Sequence, residues 1–514
     1  MHLHGGFACF ALLLGLAASP GTPAAPGEFD RSFGQNGLFR LSDPALSGPA
    51  STAIHAATDR FGNVFASGGA NGREVVVRLF PDGGPDESLG PQGALVSAPQ
   101  TLISHRGLAS FPVEGGKAVL VRSEKFACFG PGAGFCAVTP AGVHVRRLEP
   151  DGAVDPSYTP PAQLSAGAYA GDFQVVDEPD GGLLFAGYQG ILLSENRIGR
   201  LDRRGVPDTA FEAAAKASLA CRDISPDRAT GIRFLRQADG RILVAQAFQA
   251  GSPAEPDDGH RLCVTRLEPD GNRDLAWGTQ GELVLESLLF TSARDRIVAL
   301  LPLAEGGAAL LVEQHTPATT YAFHYVIAWL TPQGALDASR PGGGITGPTD
   351  LHVARVAAAA MQPDGKIVLA GYPGLPSSQS SLGYDLSQPR IGRLTPQGGA
   401  DLGFGPDGSG FTALLTFGSR LLPSHVHIAP GGDFFVAGAA GEAGPVNANE
   451  STQFAVAKLR GDASPPESRS GGGGCGIVAG APFDPTLPGL AALALGWLLL
   501  RRRGGRAGAF PTAS

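Results

Sequence analysis

The feature that most constrains this chain is a unit that recurs seven times. A strand ending in a basic residue followed by Leu appears at Arg78-Leu79, Arg147-Leu148, Arg200-Leu201, Arg266-Leu267, Arg393-Leu394 and Lys458-Leu459, with Trp329-Leu330 as the variant, spaced by about 63 residues. Upstream of each lies a Gly turn and an apolar run, as in DGGLLFAGY (180–188), DGKIVLAGY (364–372) and GGDFFVAGA (431–439). Consecutive apolar residues such as Ile367 to Ala370 read as a strand buried on both faces. The Asp-Gly and Gly-Gly pairs before them read as hairpin turns. Downstream, an Asp stands at one fixed offset from the basic residue or Trp329: Asp86, Asp155, Asp208, Asp274, Asp337 and Asp401. An aromatic often follows it (Tyr158, Phe211, Trp277, Phe404), and then a fourth strand, clearest at 282–289 and 410–416. In the third unit FEAAAKASLA (211–220) suggests a short helix in that place.

Four short antiparallel strands per unit make a propeller blade. The expected fold is all-β, a seven-bladed β-propeller spanning residues 27–460. The two chain ends favour a ring over an open stack. The seventh unit stops at Lys458-Leu459-Arg460 without its Asp and fourth strand, and both stand near the other end, in GEFDRSFGQNGLFRLS, with Asp30 and residues 37–41. An N-terminal strand that completes the last blade accounts for this division and removes an exposed edge. Lys458 and Asp30 then repeat the basic–acidic pair across the closure. Composition agrees: 75 Gly and 42 Pro supply turns, while 43% hydrophobic residues supply a core.

Aligned, the unit reads PDGKI, apolar, AG, a variable hairpin, then VxRLxPDGxxDxxFGxxG. QPDGKIVLAGY (362–372), CVTRLEPDGNRDLAWGTQG (263–281) and VVVRLFPDGGPDESLGPQG (75–93) carry it most clearly. This pattern resembles the bacterial delta-60 repeat family, whose units are expected to form β-propellers in secreted or surface proteins. The resemblance implies a fold and a location, and it supplies no catalytic residue.

The ends carry targeting signals. Residues 1–25 contain the apolar run Phe7 to Ala18 followed by small residues and Pro, a secretory signal peptide. A Gly/Pro/Ser-rich linker occupies 461–474, and the tail 475–514 holds Cys475, an apolar run at 487–500 and Arg501 to Arg503. The apolar run is marginal as a transmembrane helix, so a membrane anchor is one reading. The order Gly-rich, Cys, apolar, Arg cluster also resembles bacterial C-terminal sorting signals of the MYXO-CTERM type, which makes Cys475 the candidate for processing or lipidation. The expected location is the bacterial cell envelope or surface, with release after processing as an option.

The basic–Asp pairs (Arg78/Asp86, Arg147/Asp155, Arg200/Asp208, Arg266/Asp274, Arg393/Asp401, Lys458/Asp30) are read as scaffold, because catalysis needs one special constellation and these are near-equivalents. His425-Val426-His427 is the one potential metal half-site, and no third ligand can be named from sequence, so no metal, cofactor or catalytic residue is expected. Cys128 and Cys136 flank a hairpin turn, and Cys221 and Cys263 fall in the fourth unit; each pair is a potential disulfide in an oxidising compartment. A net charge of −8 argues against nucleic acid as a partner. The leading function is a non-enzymatic, monomeric surface module that binds a protein or glycan through the loops 124–142, 248–262 and 373–389. A hydrolase or lyase of an extracellular polymer, with its site in the channel, and a purely structural envelope component are the alternatives.

Overall fold

Seven antiparallel sheets make up the ring; six are laid out in sequence order, and in the seventh the N-terminal strand lies beyond the last one. The computed structural model describes residues 25–462, apart from 49–50, 99–102, 127–141, 163, 165–172, 190–194, 220, 222–228, 249–260, 287–294, 316–322, 348–352, 375–383, 417 and 444–449. The first strands of the blades are Thr52–Thr58, Ile103–Pro112, Gln174–Asp177, Ala229–Arg236, Arg296–Pro302, Arg355–Met361 and Ser419–Ile428. First strands of neighbouring blades pack against one another at five of the seven junctions, all but those on either side of blade three, and line the central channel. Three of the second strands, Val64–Ala70, Ile242–Phe248 and Ala308–His315, are buried at every position, as a strand packed on both faces must be.

The sheets divide the molecule into two faces. One carries the tight turns between first and second strands and the PDG connections from third to fourth strand; we call it the turn face. The other carries the second-to-third-strand hairpins and the blade-to-blade crossings, and is the loop face. The AG of the repeat has a packing cause. Five first strands bulge at the same point, opposite this position, and in blade six a Cβ on Gly371 would lie 2.0 Å from the Arg355 carbonyl oxygen.

Two blades depart from the pattern. In blade three the helix Thr209–Ser218 stands where the fourth strand would be, capped by Asp208, whose Oδ1 accepts from Phe211 N at 3.0 Å. Phe211 and Ala215 fill the core between blades three and four, packed with Leu184, Ile198 and Ile232. In blade two the fourth position is marked by Leu164, whose N–H reaches Val143 O at 2.9 Å. The strand expected at 410–416 is shorter than its sequence suggests: Phe411–Ala413 completes blade six, whereas Leu415–Thr416 pairs with Arg420 and Ser419 of blade seven.

The ring is closed by the N-terminal strand. Leu38–Arg40 lies antiparallel to Gln453–Leu459, with Leu38, Phe39 and Arg40 opposite Ala457, Val456 and Ala455. Asp30 N donates to Lys458 O at 2.9 Å and Gly27 N to Arg460 O at 2.7 Å. Leu38 packs into the blade six–seven core with Phe434 and Leu459, and Phe39 into the blade seven–one core with Phe435 and Val456. A protein lacking residues 27–41 should therefore expose the edge of Gln453–Leu459, melt at least several degrees lower and associate. A synthetic 27–41 peptide added in trans should restore the melt. Unchanged melting and a monomeric elution profile in the truncated protein would show that the closure contributes nothing.

Candidate functional site

The Arg and Asp positions of the repeat are brought together in every blade, and their geometry shows what they do. The Asp N–H donates to the carbonyl of the basic residue or its variant in all seven, at 2.8–3.0 Å. One carboxylate oxygen caps the turn that follows: Asp86 accepts from Ser88 N, Asp155 from Ser157 N, Asp274 from Ala276 N and Asp401 from Gly403 N. The other oxygen receives the guanidinium. Nε lies 2.7 Å from Oδ2 in Arg78–Asp86, Arg147–Asp155, Arg266–Asp274 and Arg393–Asp401. In blade three Asp208 is spent on the helix cap, so Arg200 stands 3.9 Å from it and turns to Glu178 at 2.9 Å.

The same guanidinium also grips the next blade. Arg147 donates to Arg203 O, Arg200 to Pro269 O and Arg266 to Pro332 O, at 2.8, 2.9 and 3.0 Å, each acceptor lying in the following blade's PDG-type turn. Its flat face rests on the aromatic of its own unit: Arg147 on Tyr158, Arg200 on Phe211, Arg266 on Trp277 and Arg393 on Phe404, 4.3–5.8 Å from the ring centres. The turn glycine of the next blade then abuts that ring. Gly334, at φ +86°, would place a Cβ 2.7 Å from Trp277.

Blade five inverts the pair. Trp329 occupies the Arg position, Arg340 occupies the aromatic position, and the cation still lies 4.7 Å from the ring centre, 3.2 Å from Asp337 and within reach of Pro396 O. At the closure Lys458 bridges Asp30 at 3.0 Å and Asp433 at 3.1 Å. Burial opposes ionisation of Asp30, but the hydrogen bonds from Ser32 and Lys458 prevail and hold its carboxyl down to about 2. In these units the cations are engaged with carboxylates, rings and backbone carbonyls of the same and the next blade.

The histidines gather where the sequence alone could not place them. His425 Nδ1 accepts from Ala56 N at 3.3 Å, His427 Nε2 from Thr58 N at 3.2 Å, and His55 Nδ1 from Ser110 N at 3.3 Å, so the three rings stitch blade seven to one and one to two along the channel. His55 and His425 lie 4.4 Å apart between ring centres. His55 is the third imidazole that the pair 425/427 lacked in the sequence. A ring nitrogen that accepts a backbone N–H has its lone pair occupied, which leaves the other nitrogen protonated, so the cluster is not arranged to ligate a metal; no metal-holding group occurs among the described residues. Gln174 makes the same stitch from blade three to Phe234 N and O, both at 2.9 Å, and Arg233 from blade four to Val298 O at 3.3 Å.

On the loop face, side chains from blades five, six and seven converge. Glu313, fully buried at the end of its strand, accepts from Arg296 at 3.1 Å, from Arg355, and from Val356 N at 3.0 Å. The half-buried Arg355 lies 5.1 Å from the Phe323 ring centre and 5.7 Å from that of Tyr384. Tyr372 and Tyr384 stand 5.6 Å apart, and Arg420 of blade seven pairs with Glu450. Tyr384 comes from the loop 373–389 singled out in the sequence; its partners come from three strands with no motif to announce them. Cys221 and Cys263 are joined by a disulfide with Cα atoms 6.5 Å apart, tying the crossing into blade four onto that blade's third strand. Cys128, Cys136, Cys475, the signal segment, the linker and the tail lie outside the described residues, as do most of the loops 124–142 and 248–262.

No protein-family model matches the chain, and no curated protein matches it. Among solved structures it is similar to an ulvan lyase of the polysaccharide lyases (TM-score 0.44, 9% identity, 84% of this chain and 94% of that one). It is also similar to a puromycin hydrolase (0.40, 15%, 78% and 52%) and an α-L-arabinofuranosidase from Fusarium graminearum (0.38, 10%, 66% and 89%).

Two outcomes follow from this geometry. Burial, reinforced for His55 and His425 by the neighbouring imidazoles, lowers all three histidines, His425 to about 3 and His427 to about 4. The unfolded chain takes up these protons near pH 6.5, so stability is full above that value and falls as pH drops toward 4, by up to about 1.4 kcal/mol per pH unit per histidine. Urea midpoints at pH 7 and pH 5 should differ, and by less in a His425→Gln/His427→Gln double variant; equal acid sensitivity would locate the titrating groups elsewhere. Opening the disulfide by Cys221→Ser, which frees a loop closed over 42 residues, should cost about 2–4 kcal/mol in the same assay.

Proposed function

We propose that the protein is an exported cell-envelope propeller acting as a non-enzymatic binding module, with a surface protein or glycan held on its loop face. The observation that carries this reading is the Arg–aromatic cluster around Arg355, built by three consecutive blades and joined by Tyr384 from a variable loop. Partly exposed rings beside planar charged groups suit a ligand with both apolar faces and hydrogen-bonding groups. The conserved geometry of the turn face, in contrast, is consumed by the clamp between blades.

The enzyme alternative would draw on the channel wall, where the first strands carry a single carboxylate, Asp177. Glycoside hydrolysis ordinarily takes two.

The test is a screen of the purified mature protein against glycans and envelope proteins, repeated with Tyr384→Ala. The variant should melt within a few degrees of the parent and bind the selected ligand at least tenfold more weakly. Full binding by Tyr384→Ala would move the site off the loop face, and release of new chain ends from a bound polymer would establish an enzyme instead.

A further inference from the structure

We infer that the loop-face ligand is an acidic glycan and that Arg355 binds the carboxylate of a uronate unit in it. This rests on the loop-face reading above and names the chemistry of that same site. The observation behind it is one edge of a guanidinium: Nε and Nη2 of Arg355 have no acceptor among the described residues, while Nη1 donates to Glu313.

Strand register builds this edge. Arg296 and Arg355 open the first strands of blades five and six, each just ahead of the bulge in its strand, and Glu313 stands opposite Arg296 on the second strand of blade five. Its two oxygens take Arg296 Nε and Nη2 at 3.1 and 3.3 Å, so the corresponding edge of Arg296 is consumed. Glu313 also accepts from Val356 N at 3.0 Å and from Arg355 Nη1. The carboxylate is 0% exposed, whereas the side chains of Arg296 and Arg355 are 31% and 29% exposed. One buried negative charge therefore holds two guanidiniums, and the outer one keeps its forked edge open. In the repeat clamp that edge is where the carboxylate sits: Arg78, Arg147, Arg266 and Arg393 each direct Nε to their Asp.

The remaining acids at this mouth are directed elsewhere. Asp295 accepts from His315 N at 2.7 Å, Asp385 from Ser387 N and Oγ at 2.8 and 2.6 Å, and Glu450 takes Arg420 and Glu442 N. A carboxylate arriving from outside matches the two parallel N–H bonds of the open edge. The Phe323 and Tyr384 rings, 5.1 and 5.7 Å from the guanidinium carbon, keep water from part of it and strengthen the pairing.

The same rings decide what carries the carboxylate. A uronate unit is rigid, with an apolar C–H face to lie on a ring, hydroxyls for the tyrosines and a carboxylate fixed at its rim, so little rotamer freedom is lost on binding. Acidic peptides are ordinarily held by clusters of arginines. Here Arg296 is spent on Glu313, and Arg420 on Glu450 and the Glu442 carbonyl, which leaves a single open fork.

Calorimetry on the full mature protein in about 0.15 M salt, where loose charge attraction is screened, tests this with oligomers of galacturonate, glucuronate and mannuronate, their carboxyl-reduced forms, a sulfated galactan and an acidic peptide. At least one uronate oligomer should bind about tenfold or more tightly than its reduced form and than the sulfated galactan. Arg355→Gln, which leaves the Arg296–Glu313 pair in place, should erase that preference, and Arg355→Lys, which keeps the charge without the fork, should not restore it. No uronate binding, equal binding of a uronate and its reduced form or of the sulfated galactan, a preference that survives in Arg355→Gln, or selection of the peptide over the glycans would each overturn the assignment. Tyr384→Ala separates the two readings: a glycan bound without regard to its carboxylate but lost in Tyr384→Ala leaves the loop-face site standing, whereas one bound equally by Tyr384→Ala removes that site as well.

Discussion

The interaction on which the ring most depends is a cation at the repeat position, and in blades two, four and five a single guanidinium does three things at once. It bonds the Asp that caps its own turn, it lies flat on an aromatic ring, and it donates to a carbonyl of the next blade. Arg is suited to this because its donors are fixed in a plane and diverge, whereas a Lys ammonium is a point charge. A propeller blade packs only against its two neighbours, so each junction must set the same angle for the circle to close. Where the clamp is complete it supplies the same contacts at the outer part of the junction. The stitches by His55, Gln174, Arg233 and His425 join the blades along the channel, all from the same position relative to the turn glycine of their units.

Most of this architecture was legible because repetition averages out local ambiguity. The Arg, Asp and PDG offsets are constant, so seven weak signals add to one strong one, and the division of the seventh unit between Lys458 and Asp30 disclosed the closure. The inverted pair of blade five was only half visible. Trp329 stood out as a variant, but nothing in a linear reading says that Arg340, sitting where the other units place a ring, restores the contact. The physical requirement is a cation over an aromatic near an Asp, and it is indifferent to which strand end supplies which partner.

The candidate sites were less legible, for the opposite reason. His55 and His425 are separated by most of the chain, and each looks like an isolated core histidine until the register of the first strands sets them side by side. Arg355, Phe323, Tyr372 and Glu313 belong to separate strands and share no spacing. Sites of this kind arise where the repeat is broken, so a reading built on what repeats passes over them.

The closing strand also fixes an order of events. Gly48 and Thr452, which exchange hydrogen bonds beside the closure, are 404 residues apart in sequence. A ribosome makes the residue 27–41 segment before any blade and its partner strand after all of them, so the first piece of the ring waits, unpaired, for the last. Six blades can assemble by local contacts as they appear, but the seventh is a long-range event with the loop-closure cost of nearly the whole chain. Until then the protein is an open arc with a free edge, and the time between the first strand and the last is the interval in which a chaperone, or a second copy, has something to hold.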